Sequence, residues 1–127
     1  MQESHLFEYA VIRVVPRVER EEFLNVGVVV FCSAMKFLKM KFVLDEERLK
    51  TLSTTLDLVD LGENIRAFER ICAGGKEGGS IGMLSMAERF RWLTATRSTV
   101  LQTSKVHPGL CVTPDEVLER LFKELVV

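Results

Sequence analysis

Residues Leu6 to Val15 alternate strictly, with Phe7, Tyr9, Val11, Arg13 and Val15 on one face and Leu6, Glu8, Ala10, Ile12 and Val14 on the other. That period of two, in β-branched and aromatic residues, belongs to an extended strand. Pro16 ends it, because proline has no N–H to give to a ladder. The polar stretch Arg17 to Glu22 is too long for a two-residue turn and suits one turn of helix. Leu24 to Cys32 is then almost continuously apolar, the pattern of a strand buried on both faces at the centre of a sheet. A third strand is expected from Lys36 to Leu44, where Leu38, Met40, Phe42 and Leu44 alternate with Lys39, Lys41 and Val43 and the lysines turn to solvent. Three antiparallel strands in a meander follow.

Helical spacing takes over after Asp45, which caps a short helix over 46–52. A longer helix over 58–72 carries Leu58, Leu61, Ile65, Phe68 and Cys72 on one stripe that packs on the sheet. Gly74 and Gly75 stop it, and the glycine-rich segment to Gly82 reads as a surface connection. Its lysine lies after a helix and before Glu77, not in the strand–loop–helix setting of a phosphate-binding loop. Ser85 and Glu88 form a capping box for a helix bearing Phe90 and Leu93, and Ser98 to Thr103 returns as a strand. Thr113, Pro114 and Glu116 open a final helix, capped by the threonine and its box, that buries Val117, Leu118, Leu121, Phe122 and Leu125. The fold expected is α+β, one domain over 1–127 with three or four helices on the N-terminal meander.

Apolar residues make up 47% of the chain and charged residues 28%, so it buries a core of its own. The formal net charge of −1 supplies no broad basic field for nucleic acid or anionic membranes. Cys32, Cys72 and Cys111 are widely spaced among apolar neighbours, which excludes a disulfide framework and suits buried thiols in a reducing compartment. The first residues lack the basic and apolar regions of a signal peptide, and no apolar run is long enough to span a bilayer. A cytoplasmic location is expected, with no cofactor and no metal. The two histidines, His5 and His107, are far apart and have no thiol pair nearby.

Among the polar residues, Arg13 interrupts an apolar strand face, where a guanidinium calls for an acid from Glu19, Glu21 or Glu22. Asn25 and Gly27 mark a bulge or a close backbone approach. Arg89-Phe90-Arg91-Trp92 through Arg97 and Lys105 mixes cations with aromatics, as single-stranded nucleic-acid binders do, although an amphipathic helix with solvated arginines is the favoured explanation. His107 and Cys111 fall in one short irregular segment, the only pairing of a base with a thiol nucleophile near in sequence. No catalytic constellation is complete.

The residues Phe7 to Pro16 and Glu21-Glu22-Phe23-Leu24-Asn25-Val26-Gly27-Val28-Val29-Val30-Phe31 resemble the opening of a bacterial domain family of unknown function. Arg89 to Ala95, Arg97-Ser98-Thr99-Val100 and Val106-His107-Pro108-Gly109-Leu110 are similar to its second signature, and Leu118 to Phe122 to its closing helix. Pro108 departs from it, standing where a small polar residue is expected after the histidine. The resemblance implies a small accessory or regulatory protein encoded beside HipA-type kinases, and no activity.

Two functions compete. A non-enzymatic module would bind a partner protein, a kinase if the resemblance holds, through the sheet edge or the segment from Arg89 to His107. A small enzyme or ligand-binding protein would hold an anionic, phosphorylated or nucleotide-like molecule with Arg13, Arg91 and Arg97, and would use Glu22 or His107 as acid or base. The second requires Arg13, Asn25, Arg91, Ser98 and His107 to converge on one pocket. A third reading, nucleic-acid binding, rests on the Arg89 to Lys105 stretch alone. Oligomeric state is left open.

Overall fold

A computed structural model describes residues 3–127. The three N-terminal strands form as the alternation requires: β1 over His5–Val14, β2 over Leu24–Cys32 and β3 over Phe37–Phe42, paired antiparallel with β2 in the middle. The polar connection from β1 to β2 contains a single 3-10 turn, Val18–Arg20. The helices are α1, Glu46–Leu52, α2, Leu58–Ala73, a one-turn α3, Gly79–Gly82, α4, Met86–Leu93, and α5, Pro114–Leu125. The fold is therefore α+β, with five helices among the described residues rather than three or four.

The return to the sheet is longer than expected. β4 covers only Leu101–Thr103, and a further strand, β5, covers His107–Cys111; both lie along the outer side of β1. This corrects the assignment of His107 and Cys111 to an irregular segment, an assignment that Pro108 and Gly109 encourage. Thr103 pairs with Ile12 and His107 with Tyr9, so this side carries one more residue than β1 between the same rows. The surplus is absorbed at Ser104, whose Oγ accepts a hydrogen bond from the Val11 N–H at 2.9 Å in place of a backbone carbonyl, as at a β-bulge. The Ser104 N–H also donates to the Val11 carbonyl. By alternation Tyr9, Phe7 and His5 face β5 as well, which turns the backbone of Pro108 outward to the free edge, where its missing donor costs nothing.

Both faces of the sheet are covered, which explains the continuous apolar run of β2. On one face Ala10, Ile12, Val14, Val29, Phe31 and Leu38 pack against α1, α2 and α4. On the other, Phe7, Val28, Val30, Cys32 and Phe37 pack against α5 through Val117, Leu118, Leu121 and Phe122, each contributing about 1.5–3 kcal/mol on burial. The lysines of β3 remain partly exposed, but they lean along α5: Lys41 pairs with Glu119 at 2.6 Å and Lys39 with Asp115 at 3.6 Å. Asp45 and Ser85 cap α1 and α4, the latter with a complete capping box. Thr113 occupies the cap position of α5 without donating or accepting a cap bond, so the box expected there is not formed.

Candidate functional site

The β1–β2 pair is irregular where the sequence is irregular. Ile12 pairs with Gly27 and Arg13 with Asn25, leaving Val26 as the extra residue of a bulge. Gly27 is required here: a Cβ would stand 2.7 Å from the Lys41 carbonyl oxygen and 2.9 Å from the Phe42 Cβ. Because Val26 absorbs the shift, Asn25 and Arg13 share the α5 side of the sheet. Asn25 Nδ2 donates to the Leu125 carbonyl at the C-terminal end of α5, 3.1 Å away, and Arg48 of α1 donates to the next carbonyl, Val126, at the same distance. These donors satisfy carbonyls that a helix end leaves open.

Arg13 has no acid partner among the described residues. Among the described residues the ion pairs of the β1–β2 connection are Arg17 with Glu19 and Arg20 with Glu22, so two of the three acids expected for Arg13 are taken, and the third, Glu21, makes no ion pair with it. Its guanidinium instead lies over the Phe23 ring, 4.0 Å from the centroid, and burial lowers its pKa from the ordinary value. Arg13 Nε and Asn25 Oδ1 are both sealed from solvent without a hydrogen-bond partner, which is uncommon for buried polar atoms. Phe23 is 47% exposed and forms one wall of a cavity of about 370 Å³ with Glu22, Leu24, Arg48, Thr51 and Leu52. A second cavity of about 290 Å³, bordered by Arg17, Arg20, Ser53 and Thr54, shares Glu22, Thr51 and Leu52 with it. The two make one groove between the β1–β2 connection and the end of α1.

The other candidate residues do not join this cluster. Arg97 is spent on α4: it donates to the Leu93 and Trp92 carbonyls at 2.9 and 2.7 Å and lies over the Trp92 and Phe68 rings. Arg91 is exposed on α4, beyond the opposite face of the sheet, and Ser98 is exposed in the connection that follows. His107 stacks on Tyr9, 5.3 Å between centroids, four residues along β1 from Arg13, roughly 13 Å at strand rise. The same spacing separates His107 from Cys111, which is buried and whose thiol pKa is raised by burial and by the neighbouring Cys32. A base–thiol pair is thereby ruled out. Glu22 lines the groove but bonds to Arg20. Arg89 overturns the picture of solvated arginines, since it is buried and donates to the carbonyls of Ile71, Cys72 and Leu84. Among the described residues no group of three or more His, Cys, Asp or Glu is placed to hold a metal ion.

The sequence reading missed Phe23, Arg48 and Thr51. Phe23 falls between the polar stretch and the second strand, and nothing local marks a side chain that stays outside the core. Residues 9–126 match a family described as "Protein of unknown function (DUF3037)". The chain belongs to this family. The match takes in the Arg13–Asn25 pair, the groove and all five helices. No curated protein and no solved structure matches the chain. No helix among the described residues is long and apolar enough to cross a membrane.

Proposed function

We propose that this DUF3037 protein is a non-enzymatic module that binds a partner protein at the β1–β2 end, with the Arg13–Phe23 stack at the centre of the contact. The observation that carries this reading is an unpaired guanidinium on a half-exposed phenylalanine at the mouth of a groove. Arginine and large aromatic side chains dominate the energetics of protein interfaces. The enzyme reading loses support, because the residues it needs in one pocket lie on different faces and elements. Nucleic-acid binding loses it too: Arg89 is buried and Trp92 packs on Phe68 and Arg97. Docking by strand addition on β5 is disfavoured by Pro108, since a sheet edge recruits a strand through its free donors. A HipA-type kinase is the partner that the family resemblance suggests.

The test is co-purification of the tagged full chain from its native host, followed by reassembly from purified components. A partner in 1:1 ratio is expected, lost on Arg13→Ala or Phe23→Ala while urea unfolding shifts by no more than about 1 kcal/mol, the scale of an exposed cation–aromatic contact. A complex that survives both substitutions places the contact elsewhere. Finding no partner after crosslinking removes the module reading altogether.

A further inference from the structure

The chemistry around Arg13 also selects what binds there, and this step rests on the partner-binding reading. Its Nε is sealed without a partner, whereas the side chain as a whole is only half-buried and among the described residues no carboxylate pairs with it. The fork is thus without an acid, and the Phe23 ring centroid lies 4.0 Å from the guanidinium carbon. Arg13 reaches the groove only through Phe23, on whose ring it lies, and the cations that line the groove are engaged: Arg17 and Arg20 by their own glutamates, Arg48 by the Val126 carbonyl. One positive charge is left uncompensated, with the Asn25 Oδ1 acceptor at the paired position and the Glu22 carboxylate on the groove wall.

We infer that Arg13 is the binding site for a carboxylate of the partner, an aspartate or glutamate side chain flanked by apolar residues that lie on Phe23 and Leu24. A planar carboxylate of single charge matches a guanidinium fork with two parallel hydrogen bonds. A phosphate dianion would bring a second charge to a site with one free cation and two acceptor groups nearby, so phosphorylated ligands are rejected. Phe23 and Leu24 supply the apolar contact that shields the pair from water, where such a bond is strongest.

The probe is the peptide acetyl-Leu-Glu-Leu-amide, with its isosteric Gln counterpart and inorganic phosphate as comparisons, titrated into the full chain at constant ionic strength. The readout is the ¹⁵N signal of Arg13 Nε, assigned by its absence in Arg13→Lys. A saturable shift with the Glu peptide is expected, weakened about tenfold or more with Gln, the difference made by a charge-assisted bond. Arg13→Lys should weaken Glu-peptide binding similarly, followed at the Phe23 and Leu24 amides, because an ammonium cannot pair bidentately. Equal binding of Glu and Gln peptides, no saturation with either, or tighter binding of phosphate overturns the inference. Co-purification separates the two proposals. A partner held equally by wild type and Arg13→Lys leaves the module reading standing and removes the carboxylate site, while no partner with either removes the module reading and leaves the carboxylate site to the titration.

Discussion

At the scale of single residues, the arginines divide by what they touch. Arg89 and Arg97 are structural, each closing a helix end with its guanidinium. Arg89 is the more consequential, since a buried charge is tolerated here only because three backbone carbonyls accept from it. Arg89→Met keeps the volume and takes the side-chain donor from all three carbonyls, leaving only that of Ile71 with a backbone donor, Gly74, so it should lower unfolding free energy by about 3 kcal/mol, read by urea denaturation with Trp92 fluorescence as the probe. Nothing in the sequence separated Arg89 from Arg91. Both sit on one short helix, and only the position of the α2 end decides which of them is buried. Arg13 was legible as an anomaly because it broke an apolar strand face, but its partner was not: Glu19 and Glu22 find closer arginines within their own turn.

The elements were mostly legible, for reasons of pattern. Strict alternation located β1 and β3, a continuous apolar run located β2, cap residues located α1 and α4, and the apolar stripe from Leu58 located α2. β5 was hidden because His107-Pro108-Gly109-Leu110-Cys111 has low strand propensity, and its pairing comes from the partner β1 rather than from its own residues. Gly27, by contrast, announced a close approach that the structure contains. Gly27→Ala should cost about 1–3 kcal/mol as an overpacking defect, with faster hydrogen exchange in β3 amides around Lys41 and Phe42, where the new methyl group would push. If exchange there is unchanged, the approach of β2 to β3 is looser than 2.7 Å implies.

For the molecule as a whole, stability should depend on pH through a thiol. Burial pushes Cys72 up to about 12 from an ordinary 9.0. Below pH 9 the group is protonated whether the chain is folded or not; above it, only the unfolded chain releases the proton. Stability is therefore fully present below about pH 9 and falls as pH rises toward 12, by up to about 1.4 kcal/mol per unit. Cys72→Ala should flatten that part of the curve, and an unchanged slope would assign it to other groups. The same region governs how the chain meets a protease. Arg89 ties the end of α2 to the start of α4, and the glycine segment between them is closed by the Gly75 N–H donating to the Gly82 carbonyl at 2.8 Å. Lys76 sits inside that clasp. A digest with trypsin thus becomes a gauge of one guanidinium: the bond after Lys76 resists cutting while Arg89 holds, and its cleavage marks the moment the clasp opens, ahead of global unfolding.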